Sequence, residues 1–431
     1  MKTRSLALTC MLALLLAAGA GCGGSDEPSG GELSGTVSFM AFGEPEELKA
    51  FRGVIAAYED VQPAVEVQLI EASDRQDLLA RLSTSFSGGS PPDLFLINYR
   101  FYGQFAAKGV LEPIGSRFAA SEAFDEEDFY DQALDAFRFG GELTCLPQNI
   151  SSLVVYYNKD LFEQANVEVP RAGWTWRDMT TRAVALTKDL DGDGKVDQYG
   201  LGVEPSLIRL APFVWSNGGE LVKPDLSGFA LDDDAAQEVI DEFFSLRTDY
   251  KAIPSDEELE AEDDETRFMN GRSAMVLSSR RATPSFRTIT KFDWDVVPLP
   301  VFKQRAGILH SDAYCMTTAS KNKDAAWDFM EFALGPEGQR ITARSGRTVP
   351  SLKAVANSEA FLDPNAKPAS SKVFLDGIPS IRQVPSLSTW PEIEDAAEGI
   401  LEKALYEGAR ADEVVAELRA ATDAIFARGE H

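Results

Sequence analysis

The sequence predicts an α/β protein of two domains, and three observations carry that expectation. Strand-like and helix-like periods alternate along the N-terminal part of the chain. At 431 residues the chain is longer than one ordinary core accommodates. The extended stretch ELTCLPQNISSLVVYYNKDLF is broken at Pro147. Proline removes a ladder donor, so a strand continuing through it bends or leaves its sheet, as a chain passing between domains does.

The elements follow in order. GTVSFMAF reads as a strand. PEELKAFRGVIAAYEDVQP sets Leu48, Phe51, Ile55 and Tyr58 on one helical face before Pro63. VEVQLIEA is a second strand, and DRQDLLARLSTSFSGG a helix ended by Gly88 and Gly89. PPDLFLIN is apolar almost throughout, as strands covered on both faces are. This β-α-β-α-β order calls for a largely parallel sheet with ligands beyond the carboxyl ends of its strands. Those ends are Phe42-Gly43-Glu44, Glu71-Ala72-Ser73 and Asn98-Tyr99-Arg100. Later, WTWRDMTTRAVALTK opens a helix with Thr175 and Asp178 at capping-box spacing. Further helices are expected at DDAAQEVIDEFFSLRTDY, DAAWDFMEFALGPEGQRITA, PEIEDAAEGILEKALYEG and ADEVVAELRAATDAIFA. DWDVVPLP and AYCMTTA read as strands.

The chain opens with Lys2 and Arg4, an apolar run from Leu6 to Leu16, and small residues leading to Cys22. That is a secretory leader, residues 1–21. Its end resembles a bacterial lipoprotein signal, in which Cys22 is lipidated and begins the mature chain, although Gly19 replaces the usual Leu. Simple cleavage and release is the alternative. Residues 22–33 read as the lipidated Cys and a flexible tether. The formal net charge of −28 argues against nucleic acid or anionic lipid as a partner, because either is repelled. Cys10 leaves with the leader, so Cys145 and Cys315 remain, as a bridge or as two small buried thiols.

One motif is louder than the rest. In DLDGDGKVDQYG, Asp189, Asp191, Asp193, the Lys195 carbonyl and Asp197 fall on calcium-loop spacing, with Gly194 at the sharp turn. The twelfth position needs a bidentate Glu and holds Gly200, and a strand-like run follows instead of a second helix. Calcium or a solvated acidic turn both suit the loop; a calcium sensor does not.

The ordered set GGSPPDLFLIN, GVLEPI, CLPQNISSLVVYYNKDLF, GWTWRDM, DLDGDGKVDQYGLG, WSNGGEL, FMNGRSAMVLSS, DWDVVPLP, TTASKNKDAAWDFMEFALGPEGQR and GRTVPSLKAV carries a resemblance. It is similar to the extracellular solute-binding proteins of bacterial ABC importers, in the carbohydrate group that includes the maltose and glycerol-phosphate binders. The resemblance implies a two-lobed periplasmic-binding-protein fold, each lobe a mixed, mostly parallel sheet flanked by helices, joined by hinge crossovers. It places lobe 1 at 34–148 plus 313–383 and lobe 2 at 149–312 plus 384–431. Crossovers then fall near 147–152, 311–314 and 382–386. Cys145 and Cys315 then lie beside the hinge in strands that are often neighbours, which makes a disulfide between them plausible.

The implied ligand is a sugar in the cleft. Trp390, at a helix mouth, falls where the family places an aromatic that stacks on a pyranose, and Trp215 is similar; packing tryptophans are the alternative. Sugar hydroxyls donate and accept, so polar partners are sought at strand ends and crossovers. The candidates are Phe42, Glu44, Asn98, Tyr99, Arg100, Gln148, Asn149, Ser151, Ser279, Arg280, Asp312 and Arg347. Arg280 beside Arg281 would suit a phosphate or carboxylate, which makes a phosphorylated or acidic sugar, or glycerol phosphate, the second reading. An extracytoplasmic carbohydrate-active enzyme is the third, weakened by the lack of a catalytic motif. The expected protein is a monomeric, lipid-anchored receptor in the periplasm or on the cell surface. It would need no cofactor, take no part in catalysis, and hand a small solute to the ABC permease.

Overall fold

The computed structural model describes residues 33–431; the leader, Cys22 and the tether up to residue 32 lie outside the described residues. The first lobe is built as the strand ends required. β1 (Gly35–Phe42), α1 (Pro45–Val61), β2 (Val65–Ala72), α2 (Arg75–Ser87) and β3 (Leu94–Asn98) follow one another, and α3 (Tyr99–Ala106) starts directly at the end of β3. Phe51, Val54, Ile55 and Tyr58 of α1 are buried against the sheet, at the helical spacing that put an apolar stripe on one face. Asp74 caps α2 by accepting from the Asp77 amide, and Asn98 caps α3 from the Arg100 amide. Both caps sit where a strand hands over to a helix, so both helices begin at the same rim of the sheet.

The chain then runs through β4 (Cys145–Pro147) and β5 (Leu153–Asn158). The second lobe adds α4 (Trp176–Leu186), α5 (Leu207–Asn217), α6 (Asp234–Thr248), β6 (Met275–Ser279) and β7 (Trp294–Val297). Thr175 and Asp178 close the capping box of α4 reciprocally. β8 (Asp312–Met316) returns to the first lobe, followed by α7 (Lys323–Leu334) and α8 (Pro336–Arg344). Two long helices, α9 (Trp390–Glu407) and α10 (Ala411–Phe426), end the chain and pack on each other.

Among the described residues two sheets have more than two strands. One has the order β2-β1-β3-β8-β4, with β1 parallel to β2 and β3 and the inserted β8 antiparallel to both its neighbours. The other is β6-β5-β7, all antiparallel pairs, with parallel bridges from Tyr199 and Gly202 onto its β6 edge. No helix among the described residues is long and apolar enough to cross a membrane.

The connection between the sheets is a hydrogen-bonded ribbon. The Gln148 amide donates to the Asp312 carbonyl at 2.8 Å, and Ser151 and His310 exchange amide bonds at 2.9 and 2.8 Å. A third strand joins them: Gly307–Ile308 pairs parallel with Ile381–Arg382, and the Leu309 amide reaches the Arg382 carbonyl. Backbone that would otherwise be buried and unpaired between two lobes is thus satisfied. α3 lies against the third connection so closely that a Cβ on Gly103 would meet the Leu387 carbonyl at 2.7 Å. Only glycine fits there.

Cys145 and Cys315 face each other in β4 and β8 and form a disulfide, closing a loop of 170 residues that contains most of the second lobe. Restricting a loop of that length in the unfolded chain is worth up to about 5 kcal/mol. Replacing both cysteines by Ser should therefore lower the urea midpoint of the whole protein, and reductant should have the same effect on the wild type but none on the variant.

Candidate functional site

Between the lobes lies a cleft of about 800 Å³, the largest cavity described. Its floor is the crossover ribbon, where a small polar knot forms. Asn98 donates Nδ2 to Asp312 Oδ1 at 3.0 Å, and Asn149 donates Nδ2 to Asp312 Oδ2 at 3.2 Å. The Asp312 amide returns a bond to Asn149 Oδ1 at 2.7 Å. One carboxylate is thereby held by the end of β3 and by the first crossover together. His310 lies on the same floor, and burial, followed by Arg209 and Arg100, pushes its pKa well below the usual value. It is a neutral imidazole there.

The first-lobe wall comes from the helix starts. Phe42 at the end of β1 and Phe101 on α3 flank Arg75 at the start of α2, whose guanidinium carbon is 5.8 and 5.2 Å from the two rings. Arg75 Nε is buried without a protein partner, and burial lowers its pKa. A guanidinium sandwiched between rings yet unbonded at its edge is ready to donate to a ligand acceptor. Arg347 forms an ion pair with Glu47 beneath the same wall and leaves Nη1 unpartnered. Glu44 completes this side.

The opposite wall comes from Ser206, Ile208 and Arg209 at the start of α5, Ser279 at the end of β6, and one face of α9. Arg209 reaches Glu204 at 3.2 Å and leaves Nε buried and unpartnered. On α9, Pro391, Glu394, Asp395 and Glu398 turn to the cleft, spaced as residues sharing a helical face are. Glu394 is only 3% exposed and binds Arg100 of α3 at 2.6 Å, an ion pair joining the two walls at their base. Removing one partner of such a buried pair leaves an uncompensated charge. Glu398 has its pKa pushed up to about 7, first by burial and then by Glu394 and Glu204.

The structure brings Phe42, Glu44, Asn98, Arg100, Asn149, Ser151, Ser279, Arg280, Asp312 and Arg347 to the cleft lining. It brings neither of the expected tryptophans there. Trp390 is fully buried, edge-on to Phe426 of α10 at 6.3 Å between ring centroids. It lies one residue, about 100° of helix, from the face that meets the cleft. Trp215 is 2% exposed at the far end of α5, its ring covered by Arg382 at 4.7 Å. The ring surface in the cleft belongs to Phe42 and Phe101. Tyr99 is in the core, its hydroxyl accepting from the Val384 amide, and Gln148 is buried outside the lining.

Arg280 touches the cavity but is pinned from behind. It donates to the Gly346 carbonyl at 2.7 Å and to Ser371 Oγ at 3.2 Å, between the rings of Phe361 and Phe374. Burial lowers its pKa to about 9. Arg281 is engaged by Glu265 at 2.6 Å. Arg281 is thus paired within the protein, while Arg280 is held through Nε and Nη1 and keeps Nη2 without a partner.

In the acidic loop, Asp189, Asp191 and Asp197 each offer a carboxylate oxygen within 4.8 Å of the others. Their oxygens already accept from the loop's own amides: Asp189 from Gly192 and Gly194, Asp191 from Asp193, Asp197 from Leu190. Asp193 accepts from the Lys195 amide and stands outside that trio. Gly192 and Gly194 have φ of 81° and 90°, which the turn requires. None of these residues lines the cleft.

Sequence reasoning missed Arg75, Phe101, Arg209 and the acidic face of α9. Two of these were within reach: Arg75 follows the end of β2 by three residues, and Phe101 follows Arg100.

A family model described as bacterial extracellular solute-binding protein matches residues 43–340. A maltooligosaccharide ABC transporter solute-binding lipoprotein of Streptococcus pneumoniae is 24% identical, over 84% of this chain and 82% of its own length. An ABC substrate-binding protein from Listeria monocytogenes, solved with cycloalternan, superposes with a TM-score of 0.82 at 26% identity, covering 90% of this chain and 97% of that one. A Streptomyces glaucescens receptor solved with acarbose gives 0.79 at 21% identity over 92% and 100%.

The raised pKa of Glu398 has a stability consequence. The folded state holds a proton that the unfolded chain releases between about pH 4.5 and 7, so this group's contribution falls as pH rises through that window. Glu398→Gln should therefore be more stable than wild type at pH 8, by on the order of 1 kcal/mol after solvent screening. Melting temperatures across pH should show that gain shrinking to nothing by pH 5.

Proposed function

The chain belongs to the bacterial extracellular solute-binding proteins, and from that membership we propose that it is the sugar-capturing receptor of an ABC importer. The observation that carries the reading is the cleft itself: a two-walled cavity with ring faces from Phe42 and Phe101 and several buried polar atoms left without protein partners. A sugar supplies what these lack. Its hydroxyls pair with Arg75, Arg209 and Ser206, and its C–H face covers a ring. Unpaired buried polar atoms cost free energy, so a ligand that satisfies them from both walls at once favours a shut cleft over an open one. The relatives named for maltooligosaccharide, and the neighbours solved with cycloalternan and acarbose, support an α-glucoside-like cargo.

The ribbon of crossovers serves as the hinge, with lobe boundaries near 148, 312 and 383. The closed form is the one the permease accepts, and Cys22 tethers the receptor to the membrane on the outer side of the cell. The work is binding without bond cleavage, and the acidic loop is a local brace, suited to calcium, away from the cargo. An acidic or phosphorylated sugar stays the second reading: Glu265 holds Arg281, but Arg280 keeps Nη2 without a partner at the cleft.

A thermal-shift screen of neutral mono- and oligosaccharides tests the reading, because a ligand bound only by the native state raises the melting temperature. Maltotriose or a longer maltooligosaccharide should raise it, and the sugar should be recovered uncleaved. Phe101→Ala should weaken the binding constant roughly tenfold, the loss of one stacking contact. A panel in which no sugar shifts the transition would overturn the reading.

A further inference from the structure

We propose that the cleft also holds a subsite for a protonated amine, made by Glu394, Asp395 and Glu398 of α9 with Glu204 facing them. The inference rests on the sugar-binding reading and deepens it: the favoured cargo is a sugar bearing an amino group.

Charge on this face is unequally matched. Arg100 is engaged by Glu394 Oε2 at 2.6 Å and Arg209 by Glu204 at 3.2 Å, while Arg75, which also feels Glu394, is held against the rings of Phe42 and Phe101 on the other wall. Asp395 and Glu398 have no ion-pair partner among the described residues. Glu394 adds an independent sign. Its Oε1 is buried, without a hydrogen-bond partner, on a residue that lines the cavity.

A buried carboxylate oxygen with no donor is costly, and neutral hydroxyls relieve only part of the repulsion among its neighbours. An ammonium carries three donors and a compact charge, which suits several carboxylates one helical turn apart. In the free protein a proton plays that part. Glu398 titrates at about 7, raised by burial and then by Glu394 and Glu204, with Arg100 opposing and Asp395 adding to the rise. The exchange balances: the Glu398 O–H bond breaks, its proton goes to the buffer, and the carboxylate pairs with the incoming ammonium.

The test is calorimetric titration of the mature chain with glucosamine trisaccharide, cellotriose and maltotriose, in phosphate and in Tris, from pH 6 to 8. At pH 7 the glucosamine trisaccharide should bind roughly tenfold more tightly than cellotriose, and proton release is read from the buffer dependence of the heat at pH 6, where the sugar amine is charged and Glu398 still carries its proton. The preference should fade as pH falls below 7 and be lost in Glu398→Gln. Should that variant fail to fold, proton release by the wild type decides. Equal affinity for the amino and neutral trisaccharides, or binding of the amine without proton release, overturns the subsite. Neutral binding without amine preference overturns the subsite alone, and amine binding without any neutral binding overturns the neutral-sugar reading alone. No binding of any of the three overturns both.

Discussion

The pairing of residues 148–151 with 310–312 is the constraint on which the rest depends. Two sheets joined by crossing strands cannot leave a stretch of buried backbone unpaired between them. The ribbon resolves this by satisfying its amides internally while giving Asn149 and Asp312 the side-chain bonds that fix its first-lobe end. The disulfide between Cys145 and Cys315 sits just beyond that end and ties the two strands where they enter the first sheet.

The same economy governs charge in the cleft. Several guanidinium groups and carboxylates lie near one another, and most are matched: Arg100 with Glu394, Arg347 with Glu47, Arg209 with Glu204. Matched pairs of this kind hold geometry more than they add stability, since desolvation offsets much of their attraction. They leave a small set of buried atoms unsatisfied on residues that line both walls, and it is this remainder that can recognise a guest. Function lies in what the fold leaves unpaired.

Much of this was legible in the sequence, and the limits are instructive. The first sheet was readable because its strands and helices alternate with clean periods, and strand ends therefore pointed to Phe42, Glu44, Asn98 and Arg100. Asn149, Ser151 and Asp312 followed from the break at Pro147 and the resemblance. Trp390 shows where such reading stops. Choosing which of two adjacent residues on α9 faces the cleft requires knowing which side α10 covers, and that is set by packing far along the chain. Arg280 does line the cleft, but what holds it was hidden for a related reason: the rings beside it, Phe361 and Phe374, are some eighty residues or more away in sequence. Glu394 and Glu398 were not singled out, because nothing local in the sequence says that a helix face will be turned into a cavity.

The central claim is that two bodies joined by this ribbon shut on a sugar held between them. Small-angle scattering of the mature protein, with and without saturating maltotriose or whichever neutral sugar stabilises it most, tests that claim directly. The account predicts a smaller radius of gyration with sugar bound. A sugar that binds stoichiometrically and leaves the radius of gyration unchanged would contradict it.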